Sequence, residues 1–347
     1  MSGPVGVRLD RLESWLAANV PGLGGDDLTA TLIPGGRSNL TYVLEASDRR
    51  LVLRRPPLGN ILPTAHDMAR EYRVLSALHG SAVPVPEPFA YCADAGVIGA
   101  PFYLMEHVPG TALAALDDAA RLTPDQAVGI SSHLVAVLSA LHEIDYEAAD
   151  LGGFGRPEGF VERQIRRWYE QWGRSRTRDL ADVDTLVERL AARCPATASR
   201  PAIVHGDYRL DNTLVTLRPE PRITAVVDWE MATIGEPLTD LAMLLVYWSD
   251  AGDDERLLVP VAAGVTAFPG FFTRAQIVET YARLTGRDLA DLDFFVALAS
   301  FKLAVVLEGI HARHLAGNTV GGGFDRYGAA VPVLVAAGLR RLAASGR

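Results

Sequence analysis

Residues 205–212 read HGDYRLDN, and sixteen residues beyond Asn212 the chain places Asp228 in VVDW, residues 226–229. The first stretch lies within AIVHGDYRLDNTLVTL, between two short apolar runs, and Asp228 ends the apolar run ITAVV. Both therefore read as loops at the ends of strands, rigid supports of the kind that carry chemistry. Any one of these Asp or Asn residues alone reads equally as a turn former. Together, two carboxylates and an amide are hard oxygen ligands. They suit Mg²⁺, which binds through one or two carboxylates plus waters and substrate phosphates, and they do not suit zinc. His205 reads as a side chain that hydrogen-bonds the backbone and fixes the loop.

Upstream, the spacing predicts a helix over 8–20, with Leu9, Leu12, Trp15, Leu16 and Val20 on one face and Pro21-Gly22 as its stop. TLIPGGRSNLTYVLEA (31–46) reads as strand, glycine turn, strand, and LVLRR (51–55) as a third strand. AHDMAREYRVLSALHG (65–80) is a helix, with Met68, Tyr72, Leu75 and Leu78 on its buried stripe. Two further strands, PFAYCA and PFYLMEHV, follow the proline-rich VPVPEP.

Beyond VPGTAL the pattern turns helical. Thr123 and Gln126 form a capping box with Pro124 at the first helical position, and Thr273 with Gln276 forms another, in a helix closed by Gly286. Residues 289–316 predict a long helix ended by Gly317, and AIVHG, TLVTL and ITAVVD are the only strands expected in this half. The expected division is a small N-terminal lobe, 1–108, and a larger helical lobe, 109–347, with a cleft near Pro109-Gly110.

HGDYRLDN followed by VVDWE resembles the catalytic loop and metal-binding segment of the protein-kinase-like phosphotransferases, H-R-D-x-x-x-x-N and D-F-G. The His-Gly-Asp variant resembles the aminoglycoside phosphotransferase and choline kinase-like family. The resemblance implies an α+β, two-lobed protein-kinase-like fold: a small antiparallel-sheet lobe with one key helix, and a larger, mostly helical lobe. Asp207 would orient the acceptor hydroxyl and take its proton, Asn212 and Asp228 would hold Mg²⁺, and Arg209 would steady the transferred phosphoryl group. Asp240, in GEPLTDLAMLL, would brace the loop.

The resemblance also asks for a phosphate lid, a basic residue on the third strand and a helical Glu, and these occur in order. Gly35 and Gly36 would let backbone N–H groups approach the phosphates of ATP or GTP, with Ser38 as an added donor. Strand alternation puts Val52 and Arg54 on one face. Val52 would then pack on the base and Arg54 reach the phosphates. Glu71 would pair with Arg54, and LMEHVPG resembles the kinase hinge, with Met105 lining the base pocket and backbone groups of Glu106 and Val108 binding its edge. The family generally has Lys where this chain has Arg54. Arg keeps the charge and can grip phosphate by two bonds, but the two are not interchangeable.

Composition narrows the partners. The 347 residues are 49% hydrophobic and 22% charged, as in an ordinary globular chain long enough for two lobes, and the net charge of −9 argues against nucleic acid. Cys92 and Cys194 cannot form a multi-bridge framework, the N-terminus lacks a signal-peptide pattern, and Lys302 breaks the apolar run FFVALASFKLAVVLEGI short of a membrane span. The expectation is a cytoplasmic enzyme without a membrane or nucleic-acid partner, acting on a hydroxyl of a small molecule.

The acceptor is less determined. SDAGDDE offers Asp250, Asp253, Asp254 and Glu255 to a polycation such as an aminoglycoside. ERQIRRWYEQWGRSRTR and VLRRPP instead resemble the branch of the family fused to acyl-CoA dehydrogenases, which implies a hydroxyacyl-CoA acceptor. Its arginines and aromatics would suit an anionic ligand, or the arginines are solvated and the Trp side chains are core. An antibiotic kinase, and a nucleotide-binding pseudokinase without transfer, are the alternatives.

Overall fold

The computed structural model describes residues 4–20, 27–33, 39–46, 49–58, 66–195, 200–261, 264–317 and 323–344. They group into two compact units, Met1–Gly110 with Thr224–Ala232, and Thr111–Ile223 with Thr233–Arg347.

The first unit contains α1 (Leu9–Asn19), β1 (Thr29–Leu32), β2 (Leu40–Ala46), β3 (Arg49–Arg55), α2 (Met68–Leu78), β4 (Pro88–Cys92), the short α3 (Ala95–Ile98) and β5 (Phe102–Glu106). The strands form an antiparallel sheet in the order β1-β2-β3-β5-β4. Leu12 and Leu16 of α1 bury against Tyr42, Leu44, Leu51, Leu53, Phe102 and Leu104, and Trp15 meets the Phe102 ring edge-on at 5.0 Å. Each such aliphatic burial contributes about 1.5–3 kcal/mol. The alternation of β3 thus sends Leu51 and Leu53 to the α1 side. Val52 and Arg54, in register with Met105 and Tyr103, take the opposite face. Asp67 caps α2 by accepting the N–H groups of Ala69 and Arg70 at 3.0 and 3.1 Å.

The second unit holds α4 (Leu116–Ala119), α5 (Pro124–Glu143), α6 (Phe160–Ser175), α7 (Ala181–Ala192), β6 (Ala202–Val204) and β7 (Thr213–Thr216). After β8 (Arg222–Val226), which leads into the first unit, come β9 (Thr233–Gly235), α8 (Leu238–Tyr247), α9 (Asp254–Leu257), α10 (Arg274–Thr285), α11 (Leu292–Leu315) and α12 (Tyr327–Ala344). Both expected capping boxes form, Thr123 with Gln126 and Thr273 with Gln276. The sequence misses β9, which pairs antiparallel with β6, because three residues are too few to show a period. Residues 224–232, expected with the helical half, group with the sheet unit.

The long helix predicted over 289–316 is α11, packed against α6, α8 and α12. By length and composition alone, α11 and α12 could each cross a membrane, a length the sequence reading denied to the α11 run. In this structure 78% of the most apolar stretch of α11 is buried, as in a core helix. Cys92, in the first unit, and Cys194, in the second, are both free thiols.

Candidate functional site

In the first unit, Arg54 projects from the central strand β3 toward α2. Its Nε lies 2.8 Å from Glu71 Oε2, and its Nη2 donates to Asp228 Oδ1. Glu71 is 1% exposed. It accepts further hydrogen bonds from Asn39 Nδ2 at 2.9 Å and Tyr103 Oη at 3.0 Å, and Asn39 also donates to Glu230 at 3.2 Å. Burial pushes the Glu71 pKa up, to about 7, against the opposing pull of Arg54. Burial alone would lower the Arg54 pKa, but Glu71, Tyr103, Asp228 and Glu230 outweigh it and raise it.

Asp228 has φ 69° and ψ 60°, in the left-handed region. An L-residue occupies that region at a cost, least for Asp and Asn, and such outliers cluster at functional sites. The Trp229 indole N–H donates to the Val226 carbonyl at 3.0 Å and closes the turn around it. Val52 and Met105 are adjacent and buried across β3 and β5. The Glu106 N–H donates to the Glu87 carbonyl at 2.8 Å, which commits that donor to the sheet, and Val108 is half-buried. Gly35, Gly36 and Ser38 lie outside the described residues.

In the second unit, HGDYRLDN spans the gap between β6 and β7 and ends in a single 3₁₀ turn, Leu210–Asn212. Tyr208 is fully buried and donates to the Leu134 carbonyl of α5 at 2.8 Å, which ties the loop to α5. The carboxylate of Asp240, on α8, accepts the backbone N–H groups of His205 and Gly206 at 2.6 and 2.8 Å. His142 Nε2 lies 3.4 Å from the same carboxylate, and its Nδ1 lies 2.7 Å from the Tyr281 hydroxyl. Burial would raise the Asp240 pKa, but His142, His205 and the Gly206 N–H hold it below the ordinary value. The bracing expected of Asp240 is therefore two backbone hydrogen bonds to the loop.

Within the loop, His205 Nδ1 accepts the Asp207 N–H at 3.2 Å. Asn212 Nδ2 donates to the Asp207 carbonyl at 2.9 Å and to its carboxylate at 3.1 Å. Asn212 thus meets the loop through nitrogen, and Oδ1 is the atom it can offer to a cation. Arg209 stands between Asp207, at 3.2 Å, and Asp211, at 2.7 Å, with its guanidinium 4.8 Å over the Tyr247 ring. Among the described residues no three His, Cys, Asp or Glu side chains form a ready metal cage. A cation held by Asn212 or Asp228 would complete its shell with phosphate and water oxygens, the habit of Mg²⁺.

The residues considered for the acceptor separate by environment. Trp168 and Trp172 of α6 are core, while Arg166 and Arg167 are exposed. Arg163 and Arg178 instead serve the fold, donating to carbonyls of Glu158 and Arg156 and of Gly328. In the acidic stretch, Asp253 and Asp250 pair with Arg274, at 2.6 and 3.7 Å, and Glu255 pairs with Arg340 at 2.6 Å. A groove of about 860 Å³ is lined by Leu245, Val246, Val278, Val296 and Leu334 and also by many charged residues, among them Arg256 and the pairs Asp253–Arg274 and Glu255–Arg340.

Sequence reasoning assigns no site role to Asn39, Tyr103 and Glu230, which surround Glu71 and Arg54, or to Tyr247 and Lys302, which contact the loop. The sequence marks Lys302 only as the break in the apolar run 294–310, although an isolated Lys in such a run is itself a signal of a site.

Comparison with known proteins bears on the family and the fold. The pattern of the phosphotransferase enzyme family, which includes the aminoglycoside phosphotransferases, matches residues 29–291. Acyl-CoA dehydrogenase family member 11 of Rattus norvegicus is 35% identical over 316 residues, covering 88% of this chain and 40% of that protein. The chain therefore spans about 40% of the length of that relative. A solved structure from Ralstonia eutropha, provisionally described as an aminoglycoside phosphotransferase, is 33% identical with a TM-score of 0.81, over 97% of this chain and 98% of that one. A thermostable mutant of aminoglycoside phosphotransferase APH(4)-Ia, in ternary complex with AMP-PNP and hygromycin B, shares the fold at 18% identity and a TM-score of 0.61, over 96% and 98% of the two chains. The chain belongs to the phosphotransferase enzyme family and has its protein-kinase-like α+β fold.

Proposed function

We propose that the protein is a Mg²⁺-dependent O-phosphotransferase that moves the γ-phosphoryl group of ATP or GTP to a hydroxyl of a small molecule, with hydroxyacyl-CoA-like metabolites as the acceptor class. The observation that carries this reading is the arrangement of Asp207: its carboxylate is held by Asn212 and Arg209, on a loop pinned by Asp240. Asp207 accepts the acceptor proton as the new oxygen–phosphorus bond forms and the bond to the β-phosphate oxygen breaks, releasing the nucleoside diphosphate. Asn212, through Oδ1, and Asp228, through its carboxylate, hold Mg²⁺, which neutralises the phosphates. Arg54, oriented by Glu71, contacts the α and β phosphates, and Arg209 steadies the transferred group. Val52 and Met105 cover the base, and Glu106 and Val108 meet its edge.

AMP-PNP in a relative of the same fold supports the nucleotide. For the acceptor, the acidic stretch supports a polycation less well, because three of its four carboxylates, Asp250, Asp253 and Glu255, already pair with Arg274 and Arg340. The apolar walls of the groove suit an acyl chain, and a relative named as an acyl-CoA dehydrogenase family member supports the same class. The test is a panel of hydroxyacyl-CoAs, aminoglycosides and macrolides with Mg-ATP and Mg-GTP, read by mass spectrometry for one added phosphate. A hydroxyacyl-CoA should gain it. Phosphate on an antibiotic alone would replace the acceptor class, and no phosphate on any compound would leave a nucleotide-binding module.

A further inference from the structure

Lys302 interrupts an apolar run on α11. Its ammonium donates to the Gly206 carbonyl and lies 5.4 Å from the centroid of the Trp168 ring on α6. A partly buried ammonium costs free energy unless it is compensated, and here it meets a neutral carbonyl and a ring face rather than a carboxylate. A stabilising ion pair does not account for it, but its acceptor does. The Gly206 carbonyl and the Asp207 N–H are two ends of one peptide group. The N–H end is held by His205 Nδ1 at 3.2 Å, and the preceding N–H, of Gly206, is held by Asp240 at 2.8 Å. Gly206 itself has φ 85°, where a side chain would be strained. Burial draws the Lys302 pKa down, with Asp207 and Asp240 opposing.

We propose that Lys302 is a positioning residue for phosphoryl transfer: by fixing the Gly206 carbonyl from α11, it sets the plane of the peptide that carries Asp207 and so the direction of the Asp207 carboxylate. This rests on the reading of Asp207 as the base. Small displacements of a reacting group, on the order of 1 Å, are worth about 10²-fold in rate.

The test uses the full chain with Lys302→Met, close in size but without a donor, and Lys302→Arg, which keeps donor and charge. Steady-state kinetics with the acceptor identified by the panel, thermal unfolding, and amide hydrogen exchange over residues 203–212 are compared. The methionine variant should lose about 30-fold or more in kcat, with the nucleotide KM changed by less than about twofold and little change in Tm. Its loop amides should exchange at least about tenfold faster. The arginine variant should recover most of both. An unchanged kcat or unchanged loop exchange in the methionine variant overturns the proposal, as does a kcat loss that tracks a large fall in Tm and is not recovered by arginine. If the wild-type protein transfers no phosphate at all, the functional reading fails, and hydrogen exchange alone still decides whether Lys302 holds the loop.

Discussion

Charge is held in opposite ways in the two units. Around Arg54, charges hold charges: one guanidinium serves Glu71 and Asp228, and Asn39 joins Glu71 to Glu230. Around Asp207, charged groups meet mostly neutral partners: Asp240 accepts two backbone N–H groups, Lys302 donates to the Gly206 carbonyl and the Asn212 amide donates to Asp207, while Arg209 pairs with Asp207 and Asp211. The difference matters for a site that handles phosphate and a cation. An ion pair can exchange one partner for a ligand of like charge, so the first cluster can rearrange when a nucleotide arrives. A backbone N–H pointing at a buried carboxylate has no such substitute, and the second cluster is therefore the fixed frame. Fixed geometry is what an in-line transfer requires of its base, while exchangeable charge is what phosphate binding requires.

The largest expected effect tests whether Asp207 is the purpose of that frame. Asp207→Asn keeps the size of the side chain and removes its ability to take a proton. Transfer should fall about 10³-fold, within the range for loss of a general base, while nucleotide affinity measured by equilibrium titration stays within about twofold. A variant that kept more than about a tenth of the wild-type kcat would remove Asp207 from the chemistry and leave the frame without its function.

The next effect probes the frame itself. Asp240→Asn replaces one of the two acceptor oxygens by an N–H₂ group that faces a backbone donor. It should cost about 2–3 kcal/mol of stability at pH 7, together with part of the transfer rate. Because the Asp240 pKa is held below its ordinary value in the folded chain, the unfolded chain binds a proton more readily as pH falls. The Asp240 contribution is thus fully present above the ordinary Asp pKa of about 3.9 and is lost as pH falls through the lower folded value. Denaturant unfolding of the two proteins from pH 7 downward should show their difference in stability shrinking only below about pH 4. A difference that stayed constant to the lowest pH at which both remain folded would mean that Asp240 is not the charged brace of the loop.

How much of this was legible in the sequence follows the same division. The succession of strands along the chain and the α2 helix follow from period, and alternation on β3 sets Arg54 on the face opposite Leu51 and Leu53, while the Arg54–Glu71 pair was legible only through the resemblance to the kinase-like family. HGDYRLDN was legible as a unit because its residues are consecutive. The frame around it was legible only at Asp240. His142 and Tyr247 come from helices far apart in the sequence, and nothing local distinguishes them from any other polar group on an apolar helix, whereas Lys302 stands out as the break in its apolar run but with no role attached. Tyr103 was invisible for the opposite reason: as a strand residue it fits the expected pattern so well that its polar end drew no notice, and Asn39, just before β2, sits among turn-forming residue types. The three residues of β9 were too few for any period.

The smallest expected effect lies in the exchangeable cluster. Arg54→Lys keeps a positive charge on β3 but replaces a fork with a point. Arg54 reaches Glu71 through Nε and Asp228 through Nη2 at once, and an ammonium can rotate toward one carboxylate or the other but reproduces that bridge less well. If charge is what the cluster needs, the substitution should raise the nucleotide KM by about threefold or less, leave kcat within about twofold, and cost about 1 kcal/mol of stability or less. Steady-state kinetics and denaturant unfolding of the two proteins measure all three. The comparison between the units breaks if Arg54→Lys proves as damaging as Asp240→Asn, because the bidentate geometry at Arg54 would then be as irreplaceable as the backbone bonds of the loop. A modest effect would show that the first unit supplies charge while the second supplies position.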